Sequence, residues 1–561
     1  MFKLKNKIAL ASFGLLIHSA AAIAISGLPV VDLGYELHAA TFNEKGSFYN
    51  FTNIRYGAPP LGDLRFAPPQ PPAVNRSTIQ DGGVPRLCPQ APPAWSVNAF
   101  PLMSQYTAGL PITAPAPSTG DQPLAPIDPR TTEDCLFLDV MVPEKLFKPA
   151  EDGHGAPVLV WIYGGGYTSG DKTTSPIANP GGLLRRSNDS MIYVALNYRL
   201  GAFGWLSGPS FEQNGTSNAG LYDQRLALQW VQQNIAKFGG DPKRVTVMGE
   251  SAGAGGITHQ ITVRKGAQDA GAPFQQAILQ STGWIPHPSV DEQERVFNDF
   301  LARLNVSTIQ EARQLSTEDL VRANMAVVRD AQYGTFTFGP AVDGDFVPAV
   351  PAVSFRDGNY DTNVTIMIGH NPDEGVLFTP ANATDVTTFA DSVLVLYPSM
   401  TQENLDHVTE TLYPAVLDGT HGYTDPYGRA SNMRADVIIV CKKLPLLNAF
   451  PQSAYSYQFS LPPGIHGADL EYTFYNDEGQ RPFDPVTLSG VASEQAAHTH
   501  QRWIGDFVTS GQPKNINGSS SLLYPGRQSN SSTVNLEING TSVIQEYAAG
   551  PRCAFWVSLE L

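Results

Sequence analysis

The chain has 561 residues, a formal net charge of −16 and 16% charged residues. It contains no basic run, which argues against a nucleic acid as a partner, because phosphate binding needs clustered Lys and Arg. It has four cysteines, and no Cys/His spacing fits a metal site, so we expect no metal and no cofactor.

The first segment of the chain has the features of a secretory signal. Lys3, Lys5 and Lys7 precede an apolar run over 8–25, and the small residues there predict cleavage after Ala24. An uncleaved signal-anchor is the alternative, because the run is long. We therefore interpret 1–24 as a signal peptide and 25–561 as a secreted, extracellular protein.

Asn-x-Ser/Thr sequons are frequent in the remaining chain. Their density together with a signal suits a glycosylated protein. The candidate acceptors are Asn50, Asn75, Asn188, Asn214, Asn305, Asn363, Asn382, Asn517, Asn530 and Asn539. Four cysteines in a secreted chain suggest two disulfides, for which three connectivities are possible.

The apolar run over 157–163 predicts a strand that ends in Gly164-Gly165-Gly166. Three glycines let backbone N–H groups approach a ligand without side-chain obstruction. Such donors can bind the oxygen that becomes negative in a tetrahedral intermediate. A phosphate cradle is the alternative, but the loop lacks the Gly-Lys-Ser/Thr ending and the acidic ribose partner of nucleotide sites.

A Gly-x-Ser-x-Gly pentapeptide occupies 249–253, after the β-branched run 244–248 and before a segment that can start a helix. This context predicts a nucleophile elbow, a tight turn that exposes Ser251 in strained backbone geometry. The N–H of Ala252, at the start of the helix, would be a further oxyanion donor. A single pentapeptide match can occur by chance, so the assignment of Ser251 as a nucleophile depends on whether the chain also offers a base and an acid.

A serine nucleophile needs a base and an acid, which on such a fold follow it in the order acid, then His. The strand over 364–368 runs into a turn that carries Asp373 and Glu374, and spacing does not choose between them. A helix N-cap is the alternative role for Asp373. His466 follows the strand 454–459 and a Pro-Pro-Gly turn, so it lies on a loop at a strand end.

Strand-like runs alternate with helical stretches, which predicts an α/β protein with a mostly parallel sheet flanked by helices. No linker separates independent units, so we expect one domain over 25–561, with helical cap insertions at about 289–330 and 400–450. The predicted strands are 157–163, 190–196, 244–248, 275–280, 364–368 and 454–459. The predicted helices are 221–238, 289–303, 309–329, 401–413 and a C-terminal helix at 493–509.

These motifs resemble type-B carboxylesterases and lipases, a family that also contains cholinesterases and secreted fungal lipases. The resemblance implies the α/β-hydrolase fold. The matching stretches span nearly the whole mature chain, and they are 133–140, 161–166, 197–199, 218–242, 249–253, 373–375 and 466–467. The implied site consists of the triad Ser251, Glu374 and His466 and the oxyanion donors Gly165, Gly166 and Ala252.

The resemblance also implies the disulfides Cys88–Cys135 and Cys441–Cys553. The first would close the Pro-rich, nearly uncharged stretch 88–135 into a flap over the active site. This region is a lid in the lipase branch, where it contacts a lipid interface, and a gorge wall in the cholinesterase branch. A static surface loop is the alternative.

The stretch 334–340 matches the acyl-pocket region of the family. Gly334 stands where cholinesterases carry a bulky ring, so we expect a pocket opened on one side that accepts acyl groups larger than acetyl. Ala125 stands where cholinesterases place a Trp for the quaternary ammonium, which disfavours choline esters. The candidate walls are Tyr167, Trp284, Phe336 and Phe338, although each could equally be core.

The sequence therefore predicts a secreted serine hydrolase that cleaves small-molecule or lipid carboxylic esters through an acyl-enzyme. A non-catalytic adhesion or binding module of the same fold is one alternative. An acyltransferase, in which an alcohol replaces water, is the other.

Overall fold

A computed structural model describes 27–112, 124–148, 155–174, 176, 178–263, 271–284, 289–383, 385–477, 482–514 and 532–561. The predicted signal 1–24 and the sequons at Asn517 and Asn530 lie outside these residues. Of the eight sequon asparagines that are described, seven are exposed and Asn50 is half-buried. Their surface position meets a condition for glycosylation, which stays a prediction.

The strands, in chain order, are β1 Val30–Asp32, β2 Leu37–Ala39, β3 Thr41–Asn43, β4 Phe48–Arg55, β5 Ile79–Gln80, β6 Phe137–Pro143, β7 Ala156–Ile162, β8 Ile192–Leu196, β9 Gly240–Glu250, β10 Gln276–Gln280, β11 Thr365–His370, β12 Ala454–Phe459, β13 Ser532–Glu537 and β14 Gly540–Gln545. Strands β1, β2 and β5 form a small sheet. The other strands form an eleven-stranded sheet in the order β14-β13-β12-β11-β10-β9-β7-β8-β6-β4-β3.

The centre of the large sheet, from β8 to β13, is parallel, and both edges are antiparallel. Every residue of β8 is buried, as is every residue of β7 after Ala156. Continuous apolar strands of this kind are typical of parallel sheets that are covered on both faces. The predicted fold class and the six predicted strands are confirmed.

The helices are α1 Ala94–Thr107, α2 Gly181–Arg186, α3 Ala202–Trp205, α4 Pro209–Glu212, α5 Ala219–Asn234, α6 Ala252–Thr262, α7 Val290–Leu304, α8 Ile309–Arg313, α9 Thr317–Arg329, α10 Pro351–Arg356, α11 Val386–Leu396, α12 Gln402–Asp406, α13 Pro426–Ile438, α14 Lys443–Ala449, α15 Asp469–Thr473, α16 Glu494–Ser510 and α17 Pro551–Ser558. None of these described helices is both long enough and apolar enough to cross a bilayer.

Two helix predictions need correction. The single helix predicted over 309–329 is two helices, α8 and α9, because the Ser316 side chain accepts a hydrogen bond from the backbone of Asp319 and starts a new helix there. The predicted helix 493–509 is α16, but it is not the last element of the chain. Gly511 ends it in a left-handed conformation, and β13, β14 and α17 follow.

The described residues form two large apolar cores and a small third cluster of Val376, Ile465 and Ala468. The main core covers the large sheet and includes residues of α7 and α9, such as Phe300 and Leu320. The second core joins Trp95 of α1 to side chains of α11 and α13 and to Trp556 of α17. Of the two predicted insertions, the one at 289–330 therefore packs on the core of the sheet. The one at 400–450 contributes to the second core up to Cys441, and its end, with Leu446 and Phe450, joins the main core.

Both disulfides implied by the resemblance are present, Cys88–Cys135 and Cys441–Cys553. Among the described residues, one grouping of possible metal ligands occurs, and it consists of Asp436 with Cys441 and Cys553. Because these two sulfur atoms are bonded to each other, they are not available to a metal ion.

Candidate active site

Ser251 lies at the turn between β9 and α6, with φ of 55° and ψ of −125°. Non-glycine residues rarely adopt a positive φ, and such strain is held only where the surroundings impose it. A Cβ on Gly253 would lie 2.1 Å from the carbonyl oxygen of Ile162 in β7, and one on Gly249 would lie 2.7 Å from the backbone of Gly253. The two glycines therefore let the turn pack directly against itself and the neighbouring strand.

Ser251, His466 and Glu374 form a continuous line of contacts. The His466 Nε2 atom is 2.9 Å from Ser251 Oγ. The His466 Nδ1 atom is 2.5 Å from Glu374 Oε2. Asp373 does not take this place, because its backbone N–H donates to Gly464 O and its carboxyl interacts with Tyr106. The structure thus places Glu374, the acid that the resemblance implies, against the imidazole.

Glu374 is held from its other side by two groups that sequence reasoning missed. Its Oε1 atom accepts hydrogen bonds from Ser281 Oγ and from the backbone N–H of Asn371, both at 2.6 Å. Burial alone would raise the pKa of Glu374, but the charge of His466 and these hydrogen bonds lower it below its usual range. Ser281 directly follows β10, so the rule that functional groups gather at strand ends could have indicated it.

Two further buried carboxyl groups surround the imidazole. Glu250 Oε1 is 3.3 Å from His466 Nε2. Burial raises the pKa of Glu250 to about 8 and that of Asp469 to about 7. Burial alone would lower the pKa of His466, but the charges of Glu250 and Glu374 outweigh it and raise that pKa to about 9. The site therefore strongly stabilises a protonated imidazole.

The glycine loop after β7 lies against the nucleophile. A Cβ on Gly164 would be 2.9 Å from the Cβ of Ser251, so this position admits no side chain. Neither Gly165 nor Gly166 donates its N–H to another described residue. Ala252 is the first residue of α6, where an N–H has no partner within the helix. These three N–H groups are available to a bound oxygen.

Phe336, another predicted pocket residue, packs on this loop. A Cβ on Gly166 would be 2.1 Å from its ring, so the half-buried ring packs on the glycine itself. The ring also makes an edge contact with Trp95 at a centroid distance of 5.4 Å. Phe336 therefore lies beside the loop that carries the candidate oxyanion donors.

Gly334 does not open a space. It has a φ of 75°, and a Cβ there would lie 2.1 Å from the carbonyl oxygen of Phe378 and 2.2 Å from the guanidinium of Arg434. The expectation of a pocket opened at this position does not hold, because backbone and a buried Arg fill the direction that a side chain would take. The glycine is required by its left-handed backbone and by this contact.

The remaining predicted wall residues are buried. Tyr167 and Phe338 are 4% exposed, and Trp284 is 2% exposed. The Tyr167 hydroxyl donates to the carbonyl of Gly283 at 3.3 Å, and its ring packs on Trp205. The core alternative therefore describes these three residues better than an open wall does.

The described first part of the flap is anchored through α1. Trp95 is fully buried, and its Nε1–H donates to the carbonyl of Thr335 at 2.8 Å. Its ring contacts Phe336 and Phe378, and the Phe378 ring in turn packs on His466 at 5.1 Å. On the opposite side of α1, Val97 is 65% exposed. This helix thus has one face in the second core and one in solvent.

Comparisons with known proteins agree with this geometry. The family model described as "Carboxylesterase family" matches residues 35–556. A relative named "Carboxylesterase patB", from Penicillium expansum, is 38% identical over 96% of this chain and 97% of its own length. A relative named "Lipase 2", from Geotrichum candidum, is 34% identical over 66% of this chain and 68% of its own. The crystal structure of Aspergillus niger EstA has the same fold, with a TM-score of 0.76 and 24% identity over 95% of this chain and 98% of that one.

Proposed function

The chain belongs to the carboxylesterase family and is a carboxylic ester hydrolase, and on this premise we propose that it acts as a serine hydrolase through an acyl-enzyme. The observation that carries the proposal is the line of contacts from Ser251 through His466 to Glu374, at 2.9 and 2.5 Å. A hydroxyl, an imidazole and a carboxylate in this arrangement provide a nucleophile, its base and the group that orients the base.

In the first half of the reaction, Ser251 Oγ attacks the ester carbonyl while His466 Nε2 takes its proton. Glu374, bound to Nδ1, stabilises the imidazolium that forms. The N–H groups of Gly165, Gly166 and Ala252 bind the oxygen as it becomes negative. The imidazolium then gives its proton to the leaving alcohol, and the acyl group stays on Ser251.

In the second half, water takes the place of the alcohol. The water oxygen attacks the acyl carbonyl while His466 accepts a proton from the water. The same N–H groups bind the second oxyanion. The proton then returns to Ser251 Oγ as the acid leaves. Both halves use one base and one set of donors, so the site needs no further group for turnover.

We further propose that acyl groups larger than acetyl are accepted and that a lipid interface can be contacted. The name of the Geotrichum relative, a lipase, supports both points. The exposed apolar side chains of the flap support the second, and they are Val97, Phe100 and Leu110. Secretion is supported by two disulfides, which persist in oxidising compartments.

Replacing Ser251 by Ala tests the nucleophile. We expect p-nitrophenyl butyrate hydrolysis to fall by roughly 10⁴-fold or more, since the residual rate comes only from binding and the oxyanion donors. A fluorophosphonate probe should label the wild type and not Ser251→Ala, while Ser210→Ala, which changes an exposed serine, reacts normally. Esterase activity retained by a folded Ser251→Ala would refute the assignment.

The two alternatives give different results in the same assay. A non-catalytic adhesion module would show neither turnover nor labelling in the wild type. An acyltransferase would give a new ester when a short alcohol is added, and product analysis by chromatography detects it. For a hydrolase we expect free acid as the main product in water.

A further inference from the structure

The base of the flap is hydrogen-bonded to the glycine loop of the active site. The backbone N–H of Gly170 donates to Gln90 Oε1 at 2.8 Å. The backbone N–H of Ala91 donates to the carbonyl of Thr168 at 2.9 Å. Gln90 and Ala91 come directly after Cys88-Pro89, where the flap is tied by its disulfide to Cys135. Two adjacent flap residues thus contact the loop that carries the candidate oxyanion donors.

The loop over 164–170 is a turn closed by its own hydrogen bonds. The N–H groups of Thr168 and Ser169 both donate to the carbonyl of Gly165. Gly170 has a φ of 115°, and a Cβ there would lie 2.8 Å from the carbonyl oxygen of Gly164. Gly170 therefore packs directly against the Gly164 peptide, and we expect a displacement of Gly170 to shift the peptides of Gly164 and Gly165.

The turn begins just after β7, and its second half is held by two different parts of the molecule. At Tyr167, the backbone carbonyl accepts from the N–H of Gly201 at 2.8 Å, and the hydroxyl donates to Gly283. At Thr168 and Gly170, the contacts come from the flap. Because glycines have many accessible conformations, three in a row keep one orientation only if both ends of their turn are held.

We propose that Gln90 is a positioning residue for the oxyanion hole: by accepting from Gly170 N–H, it fixes the orientation of the Gly165 and Gly166 N–H groups toward the substrate oxygen. This inference rests on the proposed serine-hydrolase function. The Gln90 contact affects the transition state, because the N–H donors must lie within about 2.7–3.1 Å of the oxyanion to stabilise it. Ground-state binding of the ester depends on this orientation much less.

Gln90→Leu removes the acceptor and keeps a side chain of similar size. We expect kcat for p-nitrophenyl butyrate to fall about tenfold, less than the 10²–10³-fold effect of deleting a whole donor, while KM stays within about twofold. The affinity for a trifluoromethyl ketone, which forms a tetrahedral adduct on the serine, should fall by the same factor as kcat. Gln90→Glu, which keeps an acceptor oxygen, should recover most of this loss.

Asn98→Leu is the matched control, since it removes another flap amide whose hydrogen bond, to Ala94 O at 3.0 Å, stays within α1. We expect its kcat and ketone affinity to equal those of the wild type. A merely structural role of Gln90 would lower the thermal midpoint or raise KM and leave kcat and ketone affinity unchanged, which overturns the inference. If Gln90→Leu does not fold, Gln90→Met repeats the measurement.

Comparing the activity of the wild type with that of Ser251→Ala and Gln90→Leu distinguishes a failure of this inference from a failure of the proposed function. Activity that depends on Ser251 and is equal in wild type and Gln90→Leu overturns the positioning role alone. Activity that does not depend on Ser251 overturns the proposed function.

Discussion

Three buried carboxyl groups surround the imidazole of His466, and their charges decide its protonation. The two that come nearest are Glu374, at Nδ1, and Glu250, at Nε2, the atom that also faces Ser251. A negative charge beside an imidazolium stabilises the charged form and raises its pKa. Since His466 must be neutral to accept a proton, Glu250 delays activation of the base as the pH rises.

Glu250→Gln should therefore shift the acid limb of the pH profile of kcat/KM to lower pH. The substitution removes a negative charge, the pKa of His466 falls from about 9, and the neutral base appears at lower pH. An opposite charge at this distance shifts a pKa by roughly one to three units. Rates of p-nitrophenyl butyrate hydrolysis measured between about pH 5 and 10 report the shift.

Glu403→Gln is a suitable control for that profile, because Glu403 is exposed on α12. Its profile should superimpose on that of the wild type. An acid limb of Glu250→Gln that is unchanged, or that moves to higher pH, would contradict the role given to Glu250.

Individual residues of the site differ in how well the sequence predicted them. The nucleophile and the base were indicated by local patterns, a Gly-x-Ser-x-Gly turn and a His after a strand and a turn. The acid was not, because Asp373 and Glu374 are adjacent and have the same chemistry. Only the resemblance chose Glu374, and Ser281, which holds it, lies 93 residues away in sequence.

At the scale of elements, the α1 part of the flap packs beside Phe336 and Gly166, which we call the acyl side of the proposed site. Its buried Trp95 contacts Phe336, and Phe336 packs on Gly166. Buried aromatic rings contribute large apolar areas and preferred edge contacts, so they fix their neighbours strongly. This part of the flap is therefore packed firmly beside the candidate site, whereas a Pro-rich composition alone also allows a loose surface loop.

Trp95→Ala should change the chain-length preference of the enzyme. Removing the indole lets the Phe336 ring move away from Gly166 and enlarges the acyl side. We expect kcat/KM to rise for octanoate relative to butyrate by about fivefold or more, with a loss of stability of about 3–5 kcal/mol for the large-to-small change. Kinetics with p-nitrophenyl esters of increasing chain length and urea unfolding measure the two effects.

Val97→Ala gives the comparison, since Val97 belongs to the same helix and is 65% exposed. It should change neither chain-length preference nor stability beyond about 0.5 kcal/mol. An octanoate to butyrate ratio in folded Trp95→Ala that equals that of the wild type would show that the indole does not shape the acyl side.

At the scale of the whole molecule, two disulfides cross-link segments that are far apart in the chain. Cys441–Cys553 spans 112 residues and connects the segment between α13 and α14 to α17 within the second core. Cys88–Cys135 spans 47 residues and closes the flap whose base contacts the glycine loop. The chain-entropy model gives the longer closure about 5 kcal/mol and the shorter one about 4 kcal/mol.

Replacing each pair by Ser should separate stability from catalysis. Both double variants should lose several kcal/mol in urea unfolding. In the folded protein at 25 °C, Cys88→Ser/Cys135→Ser should also lower kcat, because the flap base would hold Gln90 less firmly, whereas Cys441→Ser/Cys553→Ser should keep kcat within about twofold. Equal kcat values for the two folded double variants would show that the flap disulfide does not influence the active site.

The sequence by itself determined the parallel sheet, the elbow around Ser251 and the strand-end position of His466. These features are local, since each depends on apolar runs and turn residues within about ten positions. Helix boundaries such as Ser316, which depend on one capping hydrogen bond, were not resolved by periodicity.

Only the tertiary structure showed which contacts the pocket candidates and the flap make. Gly334 faces Arg434, Tyr167 is a buried contact to Gly283, and Gln90 reaches the glycine loop, and each of these contacts joins residues far apart in the chain. No local pattern encodes such contacts, because they depend on how distant elements pack. The nucleophile and the base were therefore indicated by short motifs, whereas the surroundings of the glycine loop depend on the packing of the whole chain.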